Sequence, residues 1–520
     1  MKNFKIFLGL LTFILVIGAI VAVILTGVFE SKLIFAITGL IALIFLYGIN
    51  IIFGTYIYFD KKRRDLTKKC WLFALLLLPG IIPLIFLWTG FTPFTKKKIK
   101  ELFNIQSEIK KTFNYDKQKK VLSNDENFNQ ILEYASNITI NKSTIGDFEF
   151  INDNFYQLSL NLIRKAKKVI FINFYIFGDG YFCKSILNEL YKKSLEGVKI
   201  FILYDWVGSR KKIDKKVFKK INLYQNFQAY TFKKKSFVIV NSFDSPRNHK
   251  KSIIVDGIEG IVGGFNIADE YINENYNYHF WRDHGFIIKG PVINDYLKIF
   301  LLDWLVYTDS NDKKTIFKII KETIEYNQKV YKNKKFDITQ TYNSFPELND
   351  LKAMNFFIQT FSLAKKRIWI NTPYFFPTEQ LENILFSAVI RGVDVRVILP
   401  GLPDNKKFIT NINRYKYKLW LEKGIKIYEF NGFTHAKTIL IDDDITLLGS
   451  INIDPRALNI NYEILNIVKS KKLFKAVYFD FEKTMKICQL ITKVPKLSLS
   501  FNSIYGRLII LFLMLFEPLL

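Results

Sequence analysis

Two stretches of the chain repeat one arrangement of residues that can perform nucleophilic and acid–base chemistry. Residues 248–266 are NHKKSIIVDGIEGIVGGFN, and residues 434–452 are THAKTILIDDDITLLGSIN. In each stretch a His is followed by a Lys two residues later, an Asp seven residues later and an Asn 17 residues later. The matched residues are His249, Lys251, Asp256 and Asn266 in the first copy, and His435, Lys437, Asp442 and Asn452 in the second. The repetition predicts one composite site.

The apolar residues after each Lys determine where these side chains point. Their Ile and Val content predicts strands over 252–255 and 438–441. Side chains two residues apart share a face of a strand, so each His and its Lys are expected to enter the same pocket. Asp256 and Asp442 also belong to the repeated catalytic motif. By the same alternation they fall on the opposite face of the strand, at a turn, and we expect them to have a structural role. Each Asn is expected on the return strand of its hairpin.

The charge of this set indicates its chemistry. A Lys beside each His is expected to stay cationic at neutral pH, which suits an anionic oxygen and repels a metal ion, so we expect no metal and no cofactor. Two imidazoles around one phosphodiester would let one His attack phosphorus while the other protonates the leaving oxygen. The Lys and Asn side chains would bind the phosphate oxygens. A single His-x-Lys could equally be an exposed basic strand end, but a second copy with matched spacing argues against that.

The repeated His-x-Lys-x4-Asp pattern resembles the phospholipase D superfamily, and both stretches match it without a gap. From about residue 61 onward the chain also resembles bacterial cardiolipin synthases. That narrower resemblance is carried by WLFALLLLPGIIPLIFLWTGF, NTPYFFP, RGVDVRVILPG and the final Pro-Leu-Leu, although Glu517 stands where the family usually has a Ser. It implies a transferase that converts two phosphatidylglycerols into cardiolipin and glycerol without a nucleotide.

The resemblance also implies roles for individual residues. His249 would form a phosphatidyl-histidine, and His435 would protonate the departing glycerol and then deprotonate the incoming hydroxyl. Asp283, 17 residues after the first Asn, and Glu463, 11 residues after the second, would orient the imidazoles; surface carboxylates near a basic site are the alternative. The family usually has Asp-Thr-His after Trp-Arg, but here Asp-His-Gly follows, so His284 receives no role.

Other residues near the motifs are open to two interpretations. His279 and His284 flank a Trp on an aromatic run and are expected to be structural. Tyr175 and Tyr374 end matched predicted strands and would either line the pocket or pack in the core.

Composition restricts the partners. The net charge of +28 favours an anionic partner, whether nucleic acid, an acidic membrane or a phospholipid, although a bias towards Lys, Asn, Ile and Phe codons would also produce it. The expected partners are phosphatidylglycerol, other anionic phospholipids and the cell membrane, with no nucleic acid. Three widely separated cysteines predict neither a disulfide framework nor a metal site.

The N-terminal region predicts membrane anchoring. Segments 6–29, 33–59 and 71–88 are nearly free of charge and long enough, or almost long enough, to cross a bilayer. The first could be a signal peptide, but its length and the lack of a cleavage site favour an anchor. Basic clusters flank the third segment, and Pro79-Gly80 would break a helix there. We therefore expect this segment to enter the membrane and return, in a multi-pass protein with a cytoplasmic body.

The order of elements predicts two similar catalytic halves. A strand at 169–177, a helix at 182–195 and a strand from 198 correspond to a strand at 367–376, a helix at 378–390 and a strand from 392. The predicted fold class is α/β, with two fused phospholipase D-like α-β-α sandwich domains related by a pseudo-twofold axis and preceded by transmembrane helices. The predicted parts are a membrane region 1–94, a juxtamembrane connector 95–147, a first half 148–306, a connector 307–351, a second half 352–500 and an apolar tail 501–520.

Alternative functions remain at this point. The motifs alone also fit a hydrolytic phospholipase D, a phosphatidylserine synthase or a nuclease of the same superfamily, and the membrane segments argue against the nuclease. A non-catalytic lipid-binding membrane protein is the alternative from another class, and it would require that the two halves do not meet. The oligomeric state is left open.

Overall fold

The computed structural model describes most of the chain. The described residues are 32–60, 65–89, 96–118, 120–210, 215–232, 246–274, 280–310, 312–348, 352–403 and 407–493, with isolated positions between 17 and 24. The predicted segment 6–29, apart from those isolated positions, and the tail 501–520 lie outside them, as does His279. The described residues form two compact units, one up to residue 96 and one from residue 97 onward.

The N-terminal unit contains three helices, α1 (Lys32–Phe59), α2 (Asp65–Leu77) and α3 (Ile81–Thr89). Helix α1 has 28 residues, a length of about 42 Å, and in the described part of the chain it alone is long and apolar enough to cross a membrane. The predicted segment 71–88 is not one helix, because the helix break predicted at Pro79-Gly80 is present. Of the segments expected to form a multi-pass arrangement, the described residues therefore contain one helix that is long enough to span the membrane.

Helices α2 and α3 fold back on each other. The rings of Trp71 and Phe86 lie 5.0 Å apart, whereas a continuous helix would separate these positions by about 22 Å. Asn50, buried within α1, donates its side-chain amide to the carbonyl of Leu75 and accepts a hydrogen bond of 3.3 Å from the backbone N–H of Gly80. One polar side chain thus satisfies two backbone groups that the helix break leaves unpaired.

The second unit is a mixed α/β structure, as predicted. Its helices are α4 (Lys96–Thr112), α5 (Glu126–Ile138), α6 (Phe155–Arg164), α7 (Tyr181–Leu195), α8 (Trp206–Ser209), α9 (Lys215–Ile221), α10 (Val292–Tyr307), α11 (Lys313–Val330), α12 (Lys352–Ser362), α13 (Glu379–Ile390), α14 (Lys407–Glu422), α15 (Pro455–Asn459) and α16 (Lys471–Ile487). Its strands are β1 (Thr144–Ile151), β2 (Val169–Phe174), β3 (Lys199–Asp205), β4 (Phe227–Phe232), β5 (Ser252–Val255), β6 (Glu259–Gly263), β7 (Trp281–Arg282), β8 (Gly285–Lys289), β9 (Asp337–Asn343), β10 (Arg367–Asn371), β11 (Asp394–Pro400), β12 (Lys426–Phe430), β13 (Phe433–Thr434), β14 (Thr438–Ile441), β15 (Ile445–Gly449), β16 (Ile464–Lys469) and β17 (Gln489–Ile491).

Among the described residues, fifteen strands form one sheet in the order β17-β12-β11-β10-β14-β15-β16-β9-β1-β8-β6-β5-β2-β3-β4. Outward from β9 the order is β16-β15-β14-β10-β11-β12, which matches the order β8-β6-β5-β2-β3-β4 outward from β1. Strand β17 is an addition at one edge. The two sides meet where β1 and β9 pair antiparallel, with Thr144 opposite Thr339. Strands β5 and β14, which follow the two His-x-Lys motifs, therefore occupy equivalent central positions.

The segments predicted as connectors contain ordered, packed structure. Within 95–147, helix α4 buries Leu102 and Ile109 in the core, and β1 begins at Thr144 rather than at 148. Within 307–351, strand β9 pairs with both β1 and β16. These stretches differ from the prediction because their Lys- and Asn-rich surfaces obscure the apolar faces that pack inward.

The two motif aspartates hold the hairpin turns. Asp256 and Asp442 adopt left-handed conformations, with φ of 51° and 52°. Asp256 accepts backbone hydrogen bonds of 2.8, 2.8 and 2.9 Å from residues 167–169, and Asp442 accepts bonds of 2.9, 2.7 and 3.4 Å from residues 365–367. Each aspartate thus ties the β5–β6 or β14–β15 turn to the start of the neighbouring strand.

Replacing Asp442 by Ala is expected to lower the free energy of unfolding by about 2 kcal/mol, because three backbone N–H groups lose a charged acceptor. Its exposed neighbour Asp443, which pairs with Lys366 and Arg367 at the surface, provides the matched control. Asp443→Ala should cost well under about 1 kcal/mol. Denaturant unfolding of the detergent-solubilised protein measures both, and equal losses would contradict this structural role.

Candidate active site

The four basic motif residues lie directly before two central strands. His249 and Lys251 precede β5, and His435 and Lys437 precede β14. All four residues are buried, with at most 9% of the surface of any one of them exposed. Every residue of β5 and β14 is also buried, and each strand is paired on both sides, so these apolar strands hold the start of the motif rigidly.

Backbone hydrogen bonds cross between the two halves at the motifs. The N–H of His249 donates to the carbonyl of Tyr462 at 2.9 Å, and the N–H of Tyr462 donates to the carbonyl of Arg247 at 2.8 Å. On the other side the N–H of His435 donates to the carbonyl of Arg282 at 2.6 Å. Each His segment therefore runs beside the acid-bearing segment of the opposite half.

The acids are exchanged in the same way. Nδ1 of His249 lies 3.0 Å from Oε1 of Glu463, and Nδ1 of His435 lies 2.7 Å from Oδ2 of Asp283. A carboxylate at Nδ1 accepts the proton there and leaves the Nε2 lone pair available for chemistry. The sequence singled out both acids but did not indicate which His each one contacts. The structure pairs each acid with the His of the other half.

The two carboxylates are themselves held differently. Glu463 is fully buried and accepts a hydrogen bond of 2.5 Å from the Ser450 hydroxyl. Asp283 accepts the backbone N–H of His284 at 2.7 Å. Gly264 occupies the position that corresponds to Ser450, and a Cβ there would lie 2.3 Å from an Asp283 oxygen. Ser450 therefore donates a hydrogen bond to Glu463, whereas the missing side chain of Gly264 leaves room for the Asp283 carboxylate.

Burial weakens the positive charge expected on the lysines. Nζ of Lys251 donates to the carbonyl of His249 at 2.5 Å, and Nζ of Lys437 lies 2.8 Å from Nδ1 of His435. Loss of hydration lowers the pKa of Lys437 to about 8 and lowers that of Lys251 well below its usual range. A bound anion would raise both values again. The pair therefore suits an anionic ligand better than a metal ion.

The imidazoles and one acid are also shifted. Burial lowers the pKa of His249 to about 4, with Glu463 opposing the effect and Lys251 adding to it. Burial and Lys437 hold the pKa of His435 well below its usual range, and His249 contributes to the same shift. Burial raises the pKa of Asp283 to about 6. Both imidazoles are therefore neutral near pH 7 and can each act as a nucleophile or a base.

The two asparagines lie beyond the return strands rather than on them. Asn266, three residues past β6, accepts the N–H of Ile176 at 3.2 Å and donates to the Tyr271 hydroxyl at 2.6 Å. Asn452 is three residues past β15, and its buried Oδ1 has no hydrogen-bond partner among the described residues. The structure thus brings both amides to the motif end of their hairpins by a short extension of the chain.

Aromatic residues surround the imidazoles. The Tyr175 ring, one of the two open assignments, lies 5.1 Å from the His249 ring. The rings of Tyr271, Trp281 and Phe433 lie 5.3, 5.6 and 6.1 Å from that of His435. The sequence patterns did not single out Tyr271 or Phe433, although Phe433 stands only two residues before His435.

Two of the remaining candidates lie outside this set. The ring of Tyr374 is 6.4 Å from that of Phe433. His284 is buried in contacts with Thr438 at 2.9 Å and Asp480 at 3.1 Å, which is the structural role expected of it.

Comparison with known proteins identifies relatives that cover most of the chain. A family model described as "Cardiolipin synthase, PLD-like domain" matches residues 159–304 and 357–485. A cardiolipin synthase of Clostridium perfringens (strain 13 / Type A) is 32% identical over 472 residues, which cover 86% of this chain and 93% of the relative. A cardiolipin synthase of Staphylococcus aureus (strain Mu50 / ATCC 700699) is 28% identical over 466 residues, 86% of this chain and 90% of the relative.

A solved structure shares the fold. The crystal structure of the phosphatidylserine synthase of Haemophilus influenzae Rd KW20 matches with a TM-score of 0.54 and 16% identity, over 75% of this chain and 98% of that one. At this identity the likeness concerns the fold alone. Since the two matched ranges of the family model each contain one copy of the motif, and the Clostridium relative covers most of the chain, this chain belongs to the family of phospholipase D-like cardiolipin synthases.

Proposed function

We propose that this chain is a membrane-bound phosphatidyltransferase that converts two phosphatidylglycerols into cardiolipin and glycerol. The observation that carries the proposal is the crossed site, in which two neutral imidazoles have Nδ1 held by the buried acids Glu463 and Asp283. Lys251 and Lys437 supply positive charge beside them. Such a site fits the transfer of a phosphodiester between two alcohols.

In the first step Nε2 of His249 attacks the phosphorus of one phosphatidylglycerol. A phosphorus–nitrogen bond forms, the bond from phosphorus to the glycerol oxygen breaks, and His435 supplies the proton to that oxygen. The negative charge of the bound phosphodiester raises the pKa of His435 from its depressed value, and Asp283 stabilises the imidazolium. Lys251 and Lys437 bind the phosphoryl oxygens in this step.

In the second step His435 removes the proton from a hydroxyl of a second phosphatidylglycerol. The hydroxyl oxygen attacks phosphorus, the phosphorus–nitrogen bond breaks, and cardiolipin leaves. The amides of Asn266 and Asn452 hold the phosphoryl group in place during the exchange. Because one phosphodiester replaces another, the intermediate conserves the bond energy and no nucleotide is needed. Burial of the site favours the lipid alcohol over water as acceptor.

The symmetry of the sheet supports a two-domain origin of the site. We assign each side of the β1–β9 junction to one phospholipase D-like domain, fused with its partner about a pseudo-twofold axis. The mirrored strand order and the two matched family ranges support this assignment. Each domain then supplies one His-x-Lys motif and the acid that orients the other domain's His.

The helical hairpin supports a membrane topology. We propose that α1 crosses the bilayer and that α2 and α3 enter it and return on the same side. The ring contact between Trp71 and Phe86 and the satisfaction of the turn by Asn50 support the return. Basic residues before and after the hairpin favour the cytoplasmic side for both of its ends.

Membranes that contain the protein are expected to convert labelled phosphatidylglycerol into cardiolipin and glycerol without added nucleotide. His249→Ala and His435→Ala should each abolish this conversion, and the double variant should be no slower than either, because members of one catalytic unit are not additive. Chromatography of lipids and released headgroups measures the products. Phosphatidic acid as the main product would instead indicate a hydrolase, and no conversion at all would indicate a lipid-binding protein.

The rate constant kcat/KM is expected to fall as the pH falls below about 6. Asp283 has its pKa raised to about 6 by burial, so below that pH it takes up a proton and no longer accepts the Nδ1 proton of His435. The Asp283→Asn variant should be slower at every pH, and its kcat/KM should show no decrease near pH 6. If kcat/KM of Asp283→Asn still decreases below about pH 6, a different group is responsible for the decrease. Rates measured from pH 5 to pH 8 on vesicles of constant composition provide the profile.

Single cysteines at the two ends of the hairpin should be accessible from the same side of the membrane. Lys69→Cys and Lys97→Cys, each made in a variant without the native cysteines, would be treated with an impermeant thiol reagent in right-side-out and inverted vesicles. Both sites should be labelled only in inverted vesicles. Labelling from opposite sides would show that the segment crosses the bilayer.

A further inference from the structure

Two arginines lie beside the catalytic groups and take no part in the mechanism described above. Arg247 stands two residues before His249, and Arg456 stands four residues after Asn452 on the short helix α15. The two come from different halves of the chain. Arg247 and Arg456 are each only partly buried.

One residue joins the two backbones. The N–H of Asn461 donates to the carbonyl of Arg456 at 2.9 Å, and the N–H of Arg247 donates to Oδ1 of Asn461 at 3.3 Å. Asn461 lies two residues before Glu463, the acid that contacts His249. The spacing of the two arginines is therefore fixed by the same segment that orients the catalytic imidazole.

The positive charges of Arg247 and Arg456 both act on the Tyr175 hydroxyl. Burial and Asp205 raise the pKa of Tyr175, while the charges of Arg456 and Arg247 oppose that increase. The Tyr175 ring in turn lies 5.1 Å from the His249 ring and 5.6 Å from Nζ of Lys251. Both positive charges therefore act on a residue whose ring lies beside His249 and Lys251.

Asp205 and Asp454, whose negative charges act on Arg456, also accept hydrogen bonds from backbone groups. Asp205 accepts the N–H groups of residues 207, 208 and 248 at 2.8, 3.0 and 3.0 Å, and Asp454 accepts that of Ala457 at 2.7 Å. Among the described residues, Arg247 forms no ion pair. Its guanidinium therefore keeps hydrogen-bond donors for a ligand.

The opposite side of the site differs. The positions that correspond to Arg247 and Arg456 in the repeat are Phe433 and Glu270, so an aromatic and an acid replace two cations. Phe433 packs 6.1 Å from the His435 ring, ring centre to ring centre. The pseudo-symmetric pocket thus has one cationic side, beside His249, and one aromatic side, beside His435. A single phosphoryl group shared by the two halves does not account for that asymmetry.

The proposed reaction requires a second anion site. Once a phosphatidyl group is attached to a His, its phosphoryl oxygens occupy the two lysines. The acceptor phosphatidylglycerol brings another phosphodiester, which a three-carbon glycerol bridge keeps close to the first. Guanidinium groups bind two phosphate oxygens at once and remain charged when buried, so they suit this second group better than lysines do.

We propose that Arg247 and Arg456 form a subsite for the phosphodiester of the acceptor phosphatidylglycerol. The inference rests on the proposed transferase function and specifies how it selects its second substrate. The subsite gives an anionic lipid alcohol an advantage over neutral alcohols and water, which have no charge to place there.

A competition assay tests the subsite in the full-length protein. Labelled phosphatidylglycerol is supplied in vesicles with ethanol present, so one covalent intermediate is divided between cardiolipin and phosphatidylethanol. In Arg247→Gln and Arg456→Gln the ratio of cardiolipin to phosphatidylethanol should fall about tenfold or more, because a charge-assisted hydrogen bond to the acceptor is lost. The ratio does not depend on how much of a variant is folded. Arg247→Lys should restore part of the ratio.

The outcomes separate the subsite from the proposed function. Arg164→Gln, which removes an arginine paired with Glu189 on the surface of α6 and α7, should leave the ratio unchanged. An unchanged ratio in both Arg247→Gln and Arg456→Gln would overturn the subsite while leaving the transferase intact. If the unsubstituted protein forms neither product under conditions where it binds the vesicles, both proposals are overturned.

Discussion

The crossed contact between each imidazole and the acid of the opposite half is the interaction on which the site depends. Glu463 can reach His249, and Asp283 can reach His435, only because the segments that carry them lie side by side across the β1–β9 junction. Neither half alone contains a His with its orienting acid. The single fifteen-stranded sheet seen in the described residues therefore does more than bury apolar surface, since it aligns the two halves to form both pairs.

Burial sets the electrostatic character of the pocket. Loss of hydration lowers the pKa of both His and both Lys and raises that of Asp283, so the site carries less charge than its residue types suggest. A phosphodiester that enters would restore charge on the lysines. In the proposed mechanism, substrate binding and activation of the site are thus linked through the same low-dielectric surroundings, which also disfavour water as an acceptor.

The symmetry of the fold and the asymmetry of the pocket serve different purposes. Similar hairpins, each fixed at its turn by an aspartate, place two equivalent His-x-Lys pairs beside the acids of the opposite half. The reaction itself is not symmetric, since one lipid gives up a glycerol and another retains it. In the proposed subsite, differences at non-motif positions, such as Arg247 where the other half has Phe433, distinguish the acceptor lipid from the donor.

The sequence by itself determined the motifs, the strands that follow them and the family, because local spacing and apolar runs encode them directly. It also indicated the helix break at Pro79-Gly80, which follows from the missing N–H of proline. It did not reveal that 307–351 contributes a strand to the sheet, since pairing with β1 and β16 is a long-range choice. Only the tertiary structure decided which acid orients which His, because that contact joins residues about 150 to 210 positions apart.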